Sequence, residues 1–388
     1  MALWTFGGLN FATNLAPIIK DQGYDTIPIW RAVHSLLTNS QIYTERGAGD
    51  FLYLPSSLLM LLPLGALDLS VAKALLFFTN IAAILLSTAL LLRVFGFRVL
   101  GLAGAIALCG LSFAWPVFFT LGAGNVDALV LLGFVLSLIA AEKGSWTAAG
   151  IFFGLSIALK PVLVPALVVF ALYRHWRGLA AAVLVPCFLS GIVLLAAPES
   201  RAYFSHALPL LWHGQNLEIQ HVSISLKSIG ERLGVPQPVT NVVRLGVFCA
   251  ACALIWRRSR SSATEPQRLV ELSTVALVAG FLLSTFAFPF YGVYLVPLAV
   301  SAATPSSYVH HWVTWAALYC VGAKEAWQLD RFPDRLNDVL SARVTFGFLL
   351  VLVAIYLGIR RAEAAAPAVT APRGLAPNRA EVGTGAEP

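Results

Sequence analysis

Apolar runs long enough to enter a membrane recur along this chain almost from end to end, and no other feature constrains its fold as tightly. Twelve can be placed in a bilayer: residues 1–19, 70–92, 99–121, 125–141, 146–159, 161–173, 178–197, 239–256, 269–288, 291–303, 309–322 and 341–359. Inside lipid every backbone N–H and C=O needs a partner from its own segment or a closed barrel, and runs of this length select the helix. Of the 388 residues 58% are hydrophobic and 12% charged, whereas a soluble domain carries roughly 25% charged residues. With a mean hydropathy of +0.79, a water-facing surface cannot be built. The chain is expected to be all-α and polytopic, with about 12 membrane helices over residues 1–361 and a disordered cytoplasmic tail, rich in Ala, Pro and Gly, over 362–388.

The net charge of +7 comes from 26 Lys and Arg against 19 Asp and Glu. The basic residues sit in short clusters between apolar runs, a pattern that orients membrane helices and builds no nucleic-acid groove. Arg93 and Arg98, Lys143, Arg174 and Arg177, Arg257 to Arg260, and Arg360 and Arg361 all fall on the cytoplasmic side if every run between them alternates. That alternation sends two long polar loops outward, 20–50 and 198–238, with three short junctions at 122–125, 160–161 and 288–291. A further run, 51–67, would flip Arg93 and Arg98 outward if it crossed fully, and Pro55, Pro63 and Gly65 favour a broken helix, so it reads as a re-entrant or interfacial segment. Several runs fall below the roughly 20 residues of a full span, which implies a cavity cut into the outer half of the membrane.

All five cysteines lie in or at the ends of apolar runs, so no disulfide framework is expected, and Cys249 and Cys252 read as two small residues on a membrane helix. The first run lacks a basic n-region and reads as a membrane helix rather than a cleaved signal; no Lys or Arg precedes it, which points to a start upstream of Met1. No internal repeat is apparent, which weighs against an inverted-repeat transporter.

Candidate chemistry gathers on the outward side. Asp25 stands at the start of an amphipathic stretch whose apolar residues 29, 30, 33, 36 and 37 share one helical face. It is either a helix cap or solvated loop carboxylate, or a functional acid. Lys160 interrupts two apolar runs before Pro161; it either snorkels to the interface or faces a cavity or partner. Asn125 and Asp127 open a helix whose N–H groups suit an anion, although capping explains them equally. The second long loop offers His206, His213, Gln215, Asn216, His221, Ser223 and Lys227, neutral or cationic donors that fit a sugar or phosphate better than a metal ion.

At Tyr24-Asp25-Thr26-Ile27-Pro28-Ile29-Trp30-Arg31-Ala32-Val33, Gln41-Ile42-Tyr43 and Phe51-Leu52-Tyr53-Leu54-Pro55 the sequence resembles glycosyltransferase family 87, membrane enzymes of the GT-C class that use a polyprenyl-phosphate sugar. The resemblance continues through Gly124-Asn125, Leu159-Lys160-Pro161 and Tyr173 to Arg177, and faintly to Tyr291, covering roughly residues 10–300. It is strongest toward the arabinofuranosyl-transferring members, at Trp30 to Val33, at Asn80 to Leu85 with Leu92 to Phe95, and at Lys160 to Leu163 with Trp176-Arg177. Two departures stand out: those members carry an acidic pair where this chain has Tyr24-Asp25, and Tyr-Pro-Pro where it has Tyr53-Leu54-Pro55.

The resemblance implies an inverting transferase without cofactor or metal, in the plasma membrane with its site on the outer, periplasmic face. Its donor would be decaprenyl-phosphate arabinofuranose and its acceptor an arabinan or related glycan. Asp25 would be the catalytic base; Lys160, Arg31, Asn125 and His221 would hold the donor phosphate; Tyr53, Ser223 and Tyr291 would line the lipid and acceptor groove. The needs of the chemistry agree: one carboxylate takes the acceptor's proton, cations meet the phosphate, and a phosphate needs no general acid to leave. The alternatives are a polyprenyl-phosphate-mannose-dependent mannosyltransferase acting on a glycolipid, and a lipid-linked sugar transporter.

The topology is testable by cysteine accessibility. In intact cells carrying a cysteine-free background, an impermeant thiol reagent is expected to label a cysteine placed at position 216 and to spare one at 259. The reverse pattern would overturn the orientation.

Overall fold

A computed structural model of the chain describes every residue except 22, 39, 44–50, 214–222, 261–263, 305, 306, 308, 324–341 and 366–388. Among the described residues the structure is helical throughout, without strands. The first part holds α1 (Ala2–Asp21), α2 (Thr26–Leu37), α3 (Pro55–Met60), α4 (Leu62–Gly65), α5 (Leu69–Val94), α6 (Leu102–Phe113), α7 (Trp115–Ala123), α8 (Asp127–Glu142) and α9 (Trp146–Leu159). A 3-10 helix, Pro161–Leu167, leads into α10 (Val168–Leu172), α11 (Trp176–Ala196) and α12 (Leu208–His213). Then come α13 (Leu226–Arg232), α14 (Gln237–Ser259), α15 (Glu265–Leu283), a second long 3-10 helix, Pro289–Leu295, α16 (Val296–Ala302), α17 (Trp312–Gly322) and α18 (Arg343–Ala365).

Each of the twelve apolar runs coincides with a helix or a consecutive helical pair, but the count of membrane crossings differs from the expectation. Five helices, α5, α11, α14, α15 and α18, are long and apolar enough to cross, and α6 with α7, bent by 62°, makes a sixth if counted as one. Proline is the cause of much of the difference. Pro116 opens α7, Pro161 and Pro165 hold a 3-10 stretch where a span would continue, and farther on Pro289 opens a second 3-10 stretch and Pro297 lies in the first turn of α16. Proline removes a backbone donor and clashes with the preceding turn, so each of these runs bends or tightens before it spans. Segment 51–67 forms only α3 and α4, six and four residues, roughly 9 and 6 Å at 1.5 Å per residue. It is a broken segment, as its prolines predict. The amphipathic stretch after Asp25 forms α2, which docks on α4: Trp30 Nε1 donates to the Leu67 carbonyl at 2.8 Å and the Trp30 ring stacks on His34.

Helices α8 and α9 form an antiparallel hairpin closed by Gly144 at φ +74°. Asp127 and Lys160 therefore share one end of the bundle, about 24 Å from the other by the 16 residues of α8. At the far end Trp146 stacks on His175 at 4.0 Å, and Arg268 donates to the Tyr173 hydroxyl at 2.7 Å and pairs with Glu265. Arg257 and Arg260 are exposed, the latter over the Trp256 ring. Arg258 is different: it is wholly buried and paired with Glu271 of α15. A carboxylate within an apolar span needs a counter-ion, and Arg258, one turn from the end of α14, supplies it instead of facing water.

The helix that carries Lys160 is held by backbone contact. A Cβ on Gly150 of α9 would stand 2.0 Å from the Gly178 carbonyl of α11, so only glycine allows this approach. Gly150→Val is therefore expected to destabilise the protein by ~1 to 3 kcal/mol. Gly191→Val, on the open face of α11 with nothing within 4 Å, should leave stability unchanged. Thermal unfolding of the two variants in detergent provides the comparison.

Candidate active site

The site is assembled from four breaks in helical structure. The first lies between α1 and α2. Gly23 N–H donates to the Gly122 carbonyl, Asp25 N–H to Ala123 and Thr26 Oγ1 to Gly124, each at 2.8 Å, so the Asp25 loop is stitched to the end of α7. Gly124 makes this possible: its φ is +65°, and a Cβ there would meet Thr26 Oγ1 at 2.3 Å. Asp25 occupies the N-cap position of α2, yet its side chain makes no capping hydrogen bond. The capping role is thus unfilled, and the residue is half-buried.

The second break joins α7 to α8. Asn125 is fully buried; its Oδ1 accepts from Asp127 N–H at 3.0 Å and its carbonyl accepts from Asn80 Nδ2 at 2.7 Å. Capping is therefore what Asn125 Oδ1 does, and the amide is thereby oriented. Its Nδ2 has no hydrogen bond within normal geometry, while the side chain lies near enough to Asp25 to favour its charged form.

At the third break, Lys160 ends α9 in an extended conformation and Pro161 forbids continuation of the α-helix. The ammonium does not snorkel. It is 7% exposed, and Nζ donates to Asp127 Oδ2 at 2.7 Å. The fourth break is the 3-10 helix Pro289–Leu295, whose Tyr294 hydroxyl donates to Asp127 Oδ1, also at 2.7 Å. Around Nζ stand the rings of Phe290, Tyr291 and Tyr53, with centroids at 4.8, 5.0 and 5.5 Å. Tyr53 is fixed in turn by Tyr43, whose hydroxyl donates to the Tyr53 carbonyl at 2.9 Å, and the neighbouring Ser56 hydroxyl donates to Ala158 beside the end of α9.

Asp25, Asn125, Lys160, Tyr53 and Tyr291 are thus brought together. Arg31 is exposed on α2 and, among the described residues, joins none of these bonds. Ser223 is buried, and its hydroxyl engages Ser225 and the Ala287 N–H and so braces the turn that leads to Tyr291. His221 lies outside the described residues. Two members of the cluster were not given a site role from the sequence: Asp127, read there only as opening a helix beside Asn125, and Tyr294. The signal for Asp127 was an acid opening an apolar run with no counter-ion nearby in sequence; that for Tyr294 was its place three residues after Tyr291, on the same side of a 3-10 helix.

The electrostatics separate the two carboxylates. Burial pushes Asp25 up to about 6, against the pull of the Lys160 ammonium; the Asp127 carboxylate adds to the rise, and the Asn125 side chain offsets part of it. Such a group is ionised at neutral pH and basic enough to take a proton. Asp127 already accepts from Lys160 and Tyr294. Among the described residues no three His, Cys, Asp or Glu side chains converge as metal ligands.

Residues 51–285 match the model of glycosyltransferase family 87. The alpha-(1->3)-arabinofuranosyltransferase of Mycolicibacterium smegmatis is 26% identical over 350 residues, covering 87% of this chain and 80% of that protein. The enzymes of the same name from Mycobacterium tuberculosis and Corynebacterium glutamicum are each 26% identical, over 340 residues (86% of this chain, 78% of theirs) and 309 residues (78% and 72%). No solved structure matches. Asp25 precedes the residues that the family model matches.

Proposed function

Because the chain belongs to glycosyltransferase family 87 and is a membrane glycosyltransferase, we propose that it moves D-arabinofuranose from decaprenyl phosphate to a hydroxyl of an arabinan or related cell-wall glycan. The site would face the outer side of the plasma membrane. The names of the relatives support the sugar and an α-(1→3) linkage. The observation that carries the mechanism is the Asp25 carboxylate, uncapped and partly exposed, beside the buried Asp127–Lys160 pair.

In the transfer, Asp25 takes the proton of the acceptor hydroxyl as that oxygen bonds to the anomeric carbon. The bond from that carbon to the phosphate oxygen breaks with its electron pair, and the configuration inverts. The phosphate passes from a monoanionic diester to a dianionic monoester while Asp25 becomes neutral. One negative charge therefore moves from the carboxylate to the phosphate, and a fixed cation nearer the phosphate than the carboxylate favours the product side of that shift. Lys160 is that cation. The Asn125 amide, with its Nδ2 uncommitted, is placed to donate to a substrate oxygen.

The direct test is to incubate purified protein with a short arabinan and either decaprenyl-phosphate arabinofuranose or polyprenyl-phosphate mannose, both radiolabelled. Arabinose transfer is expected; mannose transfer alone would replace the sugar assignment, and neither would overturn it.

Asp25→Asn is expected to lower turnover by ~100-fold to ~10,000-fold. The fold should be kept. Because burial raises the Asp25 pKa to about 6, its contribution to stability is present at low pH and lost as pH rises through about 6. Removing the charge should therefore leave the melting temperature at pH 7 equal or higher. For the wild type, kcat/KM should rise with pH, with a midpoint near 6, and level off above it, since the ionised carboxylate is the active form. More than a tenth of wild-type activity in Asp25→Asn would return the residue to a structural role.

Asp127 already uses both oxygens on protein donors, which leaves Lys160 to meet the phosphate. Transfer should continue in excess EDTA. Activity lost in chelator and restored by magnesium or manganese would refute that division of roles.

A further inference from the structure

Asp127 stands in an unusual position for a carboxylate in an apolar protein. It is fully buried, and its two oxygens are held by groups 33 and 167 residues distant, Lys160 and Tyr294. Neither oxygen is left for substrate. Yet Lys160 also lies within electrostatic reach of Asp25, and an ammonium between two carboxylates pairs with whichever is better placed. Here its partner is Asp127; among the described residues Asp25 forms no ion pair.

We infer that Asp127 is a positioning residue that, braced by Tyr294, holds the Lys160 ammonium away from a direct ion pair with Asp25, so that the base stays free to accept the acceptor's proton. The inference rests on Asp25 being the base. If Asp127 were absent, Lys160 would turn to Asp25, and an ion-paired carboxylate is a poorer base. The aromatic wall works in the same sense: Phe290, Tyr291 and Tyr53 leave the ammonium little room to swing while Asp127 holds it.

The groups facing Asp25 are few enough to keep the signs clear. They are Tyr24 beside it, Asp127 on α8, Lys160 after α9, Tyr53 before α3 and Tyr291 in the 3-10 helix. Lys73 of α5 lies over Gly23, its Cγ 3.0 Å from where a Cβ would stand. Only Asp127 and Lys160 among them form an ion pair.

The experiment follows kcat/KM against pH for the wild type, Asp127→Asn, Asp127→Glu, Lys160→Met and the double variant Asp127→Asn/Lys160→Met, at equal amounts of folded, monodisperse protein. Asp127→Asn should lower turnover by ~100-fold, as misplaced catalytic groups do, and move the acid limb down by about two units, farther than the step from Lys160→Met to the double variant, where no ammonium is left to turn to Asp25. Lys160→Met should move it up by a similar amount, because Asp127 then faces Asp25 uncompensated. Asp127→Glu should recover the wild-type limb with lowered turnover. The double variant leaves no lone buried charge; if Asp127→Asn alone fails to fold, this pair of changes still does the test, its limb returning toward that of the wild type. A merely structural Asp127 predicts that Asp127→Asn moves the limb by the same amount whether position 160 is Lys or Met, the bare loss of one neighbouring charge, and that result would overturn the inference. Loss of the limb from the wild type itself, or its persistence in Asp25→Asn, would instead overturn Asp25 as the base.

Discussion

One buried ion pair organises the functional end of this protein. Lys160 and Asp127 meet in an apolar interior where an unpaired charge is costly: ~2.5 to 3.5 kcal/mol on insertion scales for a group at mid-membrane, and about 3 to 5 kcal/mol when one partner of a buried pair is removed. Each residue stands at the end of a helix of the α8–α9 hairpin, and Tyr294 ties the 3-10 helix Pro289–Leu295 to the same carboxylate. Three segments far apart in sequence are thereby held in one arrangement.

The pair can form only because the helices stop where they do. An uninterrupted span would satisfy its own backbone and place its side chains around a cylinder. Here Pro161 and Pro289 end regular helix inside the protein, and Gly124 turns the chain between α7 and α8 through a left-handed residue. The breaks expose polar backbone, and the Asp25 loop takes part of it up in its bonds to Gly122, Ala123 and Gly124. Proline and glycine thus do two things at once. They shorten the apparent spans and they create the ends at which polar side chains can gather.

Much of this was readable in the sequence, for identifiable reasons. Helical class follows from run length and composition alone, and every apolar run coincides with helix. Asp25, Asn125 and Lys160 stood out because a charge or amide in apolar surroundings demands a reason, and Tyr53 and Tyr291 lay in motifs that resembled the family. What was not readable was pairing. Lys160 could be recognised as needing a partner, but nothing local says that the partner is Asp127 rather than a phosphate, and Tyr294 carries no mark beyond a 3-10 spacing. The same gap explains Arg258, which in sequence belongs to a basic loop and in space answers Glu271. Among the described residues, fewer helices are long and apolar enough to cross than there are apolar runs, because proline turns several runs into short, bent or 3-10 pieces.

The partial exposure of Asp25 bears on the energetics of the whole cycle. On the proposed mechanism each transfer leaves this carboxyl neutral, and the next requires it to release its proton. The neighbouring carboxylate is saturated by Lys160 and Tyr294 and cannot relay it. The route that remains is outward, through the face on which the Asp25 loop already meets the surface. If the acceptor arrives by the same face, the proton would leave where it came from, and on that mechanism turnover would carry no charge across the lipid and draw nothing from the membrane potential.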